Sequence, residues 1–461
     1  AIALLRQTYL DAEWYAQHDP RPFADESLEG WLRTQSLPQI MEVDDWHQAL
    51  AVHRVAEEFS TRYILKVGTD AYQQAARLAA TGAPLIVSVD YPETPEVADP
   101  FTADDVSFTE LKHWELAPYN LRLLHEQGIQ MAITRAGSGD EFIANLRKAV
   151  DAGLPEEAAI AALTSVPAAL IGEQQRLGHI GAGALANLVV SDGPLFDTDT
   201  RLLETWVAGS RYVVSEPLTE QEGRYQLATQ STTVDMALRL ADGRLRTQVL
   251  DGSSDTALEG ASASVTIAQD LINLTLRMPG EEQTLRLSGW PTQDGWEGSG
   301  WTLARTGQLP ASEETDAAEE AEMSSELPSP VIYPFAAYGS ESVPTQQATL
   351  IRGATVWTNE DAGTLVTDVL LQDGSIAALG ENLQAGGAVV VDGTGMHLTP
   401  GIIDEHTHIA LFGINEVATN SSMVRMTDVV NSQDVNIYRN LAGGVVAAQQ
   451  LHGSANPIGG Q

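Results

Sequence analysis

Residues 398–408 read Leu398-Thr-Pro-Gly-Ile-Ile-Asp-Glu-His-Thr-His408. Four small or apolar residues, Pro400 to Ile403, lead out of a Pro-Gly turn into Asp404-Glu-His-Thr-His. On a strand, residues two apart point to the same side. His406 and His408 are therefore expected to share a face and to reach one divalent cation. Asp404 shares that face and is placed to orient a ligand from behind. A bare His-x-His also occurs by accident on exposed strands. The turn and the apolar lead-in set this one apart.

Upstream, residues 347–396 give short strands with turns at Gln372-Asp373-Gly374 and Asp392-Gly393. Downstream, a β-α unit runs to residue 461. Residues 1–215 alternate helices with short strands. Ala51–Phe59, Gln73–Ala80 and Leu121–Gln127 are helical in period, and Gly128 is a stop signal. Tyr63–Val67, Pro84–Val89 and Gln130–Thr134 are short apolar strands. This rhythm predicts a parallel sheet with helices outside, a partial TIM-like (β/α) barrel holding about half of eight units.

Between 216 and 308 the pattern changes to alternation in Arg224–Thr229, Ala237–Leu240, Leu245–Leu250, Ser264–Ala268 and Thr284–Ser288. Asp242-Gly243 and Asp251-Gly252 are turn signals, and a small antiparallel β module is expected. Trp290, Trp296 and Trp301 are assigned to its core rather than to a sugar platform. Residues 309–344 form a linker, acidic at Glu313, Glu314, Asp316, Glu319, Glu320 and Glu322.

The 461 residues hold 25 Lys and Arg against 63 Asp and Glu, a formal charge of −38. Such a surface repels phosphates, so no nucleic acid partner is expected. No apolar run is long enough to span a bilayer, so no membrane insertion is expected. With no Cys there is no disulfide, thiolate metal site or Cys nucleophile.

Thr399–His408 resembles the opening barrel strand of the amidohydrolase superfamily, in particular its imidazolonepropionase-like and Xaa-Pro dipeptidase-like branch. Ala354-Thr-Val-Trp357, Val369–Ala377 and Val389–Gly395 resemble the β-sandwich strands that precede it. Glu157–Leu170, with its Thr-x-x-Pro-Ala turn, is similar to the family's final barrel helix. Leu177–Val190 is similar to the return into the sandwich, and Thr205–Tyr212 to its last hairpin. The resemblance implies that residues 1–215 are the back of one amidohydrolase domain. It makes 345–461 the front of a second, an order found in large exported bacterial hydrolases with tandem domains.

The resemblance further implies hydrolysis of a C–N bond in a small amide, cyclic amide or dipeptide. The implied cofactor is a divalent metal, zinc first, with iron or manganese as alternatives. The family's general-base Asp would lie beyond residue 461, so these residues alone are expected to be inactive. In the first part, Glu42 and Val67 stand where the family has His, and Ala136 where it has Asp, with Asp140 nearby. That part therefore resembles a degenerate copy. Lys66 does not match the position of the family's carboxylated lysine and is read as a surface residue. In Leu451–Gln461, a loop rich in Gly, His452, Asn456 and Gln461 could orient substrate, and a plain structural turn fits equally. Two other organisations remain. One is a binding or scaffolding protein on a degenerate fold. The other is a single permuted barrel, which needs middle strands that 216–345 does not offer.

Overall fold

The computed structural model describes every residue except 1, 199, 216–220, 242–243, 253, 255, 269–270, 282, 310–325, 415–418, 454 and 461. The Asp242-Gly243 turn, the acidic run of the linker and Gln461 lie outside the described residues. The chain is of mixed α/β class and divides into two compact units.

The first unit gathers residues 1–83, 92–117 and 327–461. The strands Gln39–Glu42 and Tyr63–Val67 pair in parallel, Gln39 opposite Tyr63 and Glu42 opposite Lys66. The helix Trp46–Glu58 connects them, started by the Asp45 side chain, which accepts from the Gln48 N–H. It buries Trp46, Ala49, Val52, Val55 and Ala56, an apolar stripe at helical spacing. Ile2–Ala16 is a further helix, burying Tyr9, Ala12 and Tyr15. Its Arg6 is buried and bridges Glu58 at 2.5 Å and Asp428 at 2.6 Å. Residues 1–83 and the tail thus meet through a desolvated charge cluster in which each group is paired.

The strands Thr349–Trp357, Thr364–Gln372, Ser375–Gly380, Val389–Asp392 and His397–Leu398 form one sheet. Its hairpin at Asp373-Gly374 uses positive φ at both residues, 49° and 74°, as a tight two-residue turn requires. The buried Asp368 carboxylate accepts from the Gly353 and Leu383 N–H groups and ties the sheet's bulge to a loop. The His-x-His strand follows as Ile402–Thr407, paired in parallel with Val445–Gln450. The helix Val435–Ala442 joins the two, a β-α-β unit. Gly401 is required there, because a Cβ would come within 2.4 Å of the Val446 side chain.

The second unit gathers 84–91 and 118–326. Leu85–Ser88 and Met131–Thr134 pair in parallel. The segment read as a helix with a Thr-x-x-Pro-Ala turn is two helices, Glu156–Leu163 and Ser165–Leu170, broken at Thr164, where that motif begins. Leu188–Ser191, Leu202–Val207 and Ser210–Val213 make an antiparallel sheet. Eight antiparallel strands, from Gly223–Thr229 to Trp301–Gly307, form a nearly closed sheet. Trp296 and Trp301 sit in its core with Tyr225, Leu227 and Leu274, whereas Trp290 is exposed. Among the described residues no helix is long and apolar enough to cross a membrane.

Candidate metal centre

His406 lies on the strand Ile402–Thr407, and His408 lies just beyond its end. Both side chains are exposed. Their ring centroids are 5.4 Å apart with the planes at 90°. Two imidazoles bound to one tetrahedral ion at ordinary Zn–N distances have centroids about 5 Å apart. The separation therefore suits shared ligation.

His408 Nδ1 lies 2.8 Å from the Leu451 carbonyl. A carbonyl only accepts, so Nδ1 carries a proton, and in the neutral ring Nε2 is the nitrogen with the lone pair. The same contact fixes the ring's orientation. Leu451 follows the partner strand Val445–Gln450, and its N–H donates to the Thr407 carbonyl. The ends of the two parallel strands are thus stitched together beside His408. Asp404 Oδ1 accepts from the His406 backbone N–H at 3.2 Å. It braces the main chain and has no bond to either imidazole in this structure.

His452 is buried, and neither ring nitrogen has a hydrogen-bond partner among the described residues. Asn456 Nδ2 donates to Ser421 Oγ at 2.8 Å. The Ser421 N–H donates to the Ile458 carbonyl, so this loop is pinned to residues 419–421. Among the described residues, no three His, Asp or Glu side chains converge into a metal-binding group. The donors present, two imidazoles, fit zinc and supply part of its set.

Each residue matched to a family ligand in the first part is accounted for. Glu42 ends its strand and is ion-paired with Lys66 on the neighbouring strand. Lys66 thereby has a structural partner. Val67 also ends its strand and is buried. Ala136 lies just past Met131–Thr134, and its carbonyl accepts from Ser88 Oγ. Asp140 is exposed and pairs with Arg135 at 3.2 Å. The histidines of this part are dispersed. His18 and His179 bond to nearby carbonyls, and His53 faces Glu57 one turn on. His113 contacts the Tyr72 hydroxyl, and burial holds its pKa below the usual value. Two features escape sequence reasoning: the Leu451 carbonyl as partner of His408, and the half-buried Asp70 carboxylate that caps Trp46.

A family profile described as the amidohydrolase family matches residues 117–213. A D-hydantoinase of Geobacillus stearothermophilus is 47% identical over 60 residues, 13% of this chain and 12% of that protein. A dihydroorotase of Bacillus thuringiensis (strain Al Hakam) is 43% identical over 51 residues, 11% of this chain and 12% of that protein. The chain therefore spans 12% of the length of each of these curated relatives. Among solved structures, an amidohydrolase from Thermotoga maritima MSB8 is 22% identical. That superposition covers 47% of this chain and 56% of the other, with a TM-score of 0.36.

Proposed function

From a chain that belongs to the amidohydrolase superfamily, we propose a protein that hydrolyses C–N bonds of small amides, cyclic amides or dipeptides, with a divalent metal held in part by His406 and His408. The observation that carries this reading is the pair of imidazoles 5.4 Å apart at the end of a parallel strand. The contact of His408 Nδ1 with the Leu451 carbonyl supports it, because it leaves Nε2 free to bind. Zinc suits two neutral imidazoles, with iron or manganese next. When bound, the ion supplies Lewis-acid polarisation of the scissile carbonyl and activation of water.

The chain's own residues position the chemistry. Asp404 braces the backbone between the two histidines, and the Leu451 carbonyl sets the His408 ring. His452 and Asn456, on the loop after the second strand, are assigned to orienting substrate. In this reading residues 345–461 open a (β/α) barrel of the metal-dependent hydrolase type. Residues 1–215 are the back of a non-catalytic copy, with 216–308 an added β module. The pairing of Glu42 with Lys66 favours that assignment, because among Glu42, Val67 and Ala136 it occupies the one with an acidic side chain.

The test uses the whole protein that carries this chain, with a panel of N-acyl amino acids, cyclic amides and Xaa-Pro dipeptides. Turnover on at least one class is expected, with loss of at least a hundredfold on chelation and in His406→Ala. Activity that survives both treatments refutes the metal assignment.

A further inference from the structure

The unit that carries the His-x-His strand also holds a cleft of about 900 Å3. Its wall is mainly aliphatic and aromatic, with Leu5, Val52, Phe412, Ile414 and Val429, and His452 also lines it. Its position is specific. Met41 and Glu42 end one parallel strand, Phe412 follows the end of Ile402–Thr407, and His452 follows the end of Val445–Gln450. Open space at the carboxyl ends of parallel strands is where α/β proteins bind small ligands. The volume is that of a small-molecule site.

The chemistry of the wall selects among ligands. Both acids among the described lining residues are already paired. Glu42 is bound to Lys66, and Asp428 is held by both terminal nitrogens of Arg6, at 2.6 and 3.1 Å. Among the described lining residues there is no Lys or Arg. A chain with a formal charge of −38 disfavours an anion. Gln48 also lines the cleft, and its amide is engaged by Asp44 at both ends, its oxygen accepting from the Asp44 N–H and its nitrogen donating to the Asp44 carboxylate. The polar group left over is the His452 imidazole, buried and without a partner for either nitrogen among the described residues. A neutral imidazole is one donor and one acceptor. A primary amide presents the complementary acceptor and donor on two separate atoms, where an alcohol carries both on one.

We propose that this cleft binds a neutral amide carrying an apolar alkyl or aryl substituent, the substituent against the aliphatic wall and the amide toward His452. The substrate class proposed above thereby becomes apolar and uncharged. Only this link to turnover rests on the hydrolase reading. The binding itself does not require metal.

The test is calorimetric titration of the 461-residue chain in the presence of EDTA with acetamide, butanamide, hexanamide, hexanol and hexanoate. Affinity is expected to rise about fourfold per added methylene, the value of burying one such group. Hexanoate is expected to bind at least tenfold more weakly than hexanamide. Ala3→Trp and Ile414→Trp fill the cleft from two walls and are expected to weaken hexanamide at least tenfold. His452→Phe is expected to keep the chain-length dependence and to remove the preference for hexanamide over hexanol.

Affinity independent of chain length, equal binding of hexanoate, or undiminished binding in folded tryptophan variants overturns the proposal. The ligand series needs no substitution, so it decides the matter even where a variant does not fold. Because chelator is present throughout, failure of the metal assignment leaves these titrations unchanged. The two readings can therefore fail separately.

Discussion

His408 and Asp70 show how differently two polar side chains can be read from a sequence. That His406 and His408 share a face follows from strand alternation alone. The Leu451 carbonyl that sets the His408 ring lies 43 residues away. No local pattern announces that contact, because it depends on how two parallel strands are registered. Asp70 is less legible still, since it reads as a polar residue in a loop. In the fold it is half-buried behind the start of the helix Trp46–Glu58, where its Oδ2 accepts from the Trp46 N–H at 3.0 Å. Its Oδ1 is buried without a partner among the described residues. Burial pushes its carboxyl from 3.8 up to about 6, and the Trp46 N–H offsets only part of that rise. A carboxyl whose pKa is higher in the folded state takes up protons on folding. Stability therefore increases as pH falls from about 6 towards 3.8, and the full cost of the buried charge is present above 6. Asp70→Asn keeps an acceptor for the Trp46 N–H and removes the charge. It is expected to stabilise the protein at pH 7.5 by up to about 3 kcal/mol, two pKa steps at the usual conversion. The difference should vanish near pH 4. Thermal melts at both pH values check this, and a lower midpoint at pH 7.5 contradicts it.

Strands and helices were legible wherever one side faces a core and the other does not. Tyr63–Val67 has the bounds its apolar run implies. The β module's segments became strands, because alternation there matches a sheet buried on one face. Leu271–Arg277 is a strand not named among those segments, although Ile272, Leu274 and Leu276 alternate into the core. The helical segment 157–170 carries its break in the Thr-x-x-Pro-Ala turn. Alanine-rich sequence favours a helix, but Pro167 has no N–H to give the Leu163 carbonyl and its ring crowds that carbonyl, and Thr164 leaves the helical region at φ −131° and ψ −81°. A tertiary contact adds to this local cause. Gly178 packs against this point so closely that a Cβ would lie 2.6 Å from the Thr164 carbonyl oxygen and 2.7 Å from the Ser165 Cα. Gly178 also has φ +80°, a conformation side chains rarely adopt. Both neighbours are backbone atoms and cannot rotate away. Gly178→Ala is therefore expected to destabilise by more than about 1 kcal/mol. Urea unfolding of the variant measures it, and a midpoint equal to that of the parent chain would show that the helix break does not depend on this contact.

The 461 residues bring the tail and residues 1–83 into one compact unit, held by Arg6 to Asp428 and Glu58, and by Arg425 to Glu58 at 3.5 Å. That assembly is not legible in the sequence, where the partners of Arg6 lie 52 and 422 residues away. It raises the question whether the first segment lends metal ligands to the second. The ligand count answers it. A catalytic zinc site needs about three protein ligands and one open position. His406 and His408 supply two. Of the strand-end residues matched to family ligands, Val67 and Ala136 have no donor atom in their side chains. Glu42 has one, but Lys66 holds it, and withdrawing it would leave a partly buried ammonium without its counter-charge. His452 is buried, and among the described residues no third His, Asp or Glu joins the pair. These 461 residues, expressed alone and loaded with zinc, are therefore expected to hydrolyse N-acyl amino acids and Xaa-Pro dipeptides no faster than buffer. Metal binding and turnover separate here. Two imidazoles suffice for a weak, chelator-sensitive site that His408→Ala removes, whereas catalysis needs at least one more ligand and a general base. Turnover clearly above the buffer rate, lost on chelation and in His408→Ala, would mean that the paired segments build a working centre, and that Glu42 exchanges Lys66 for metal.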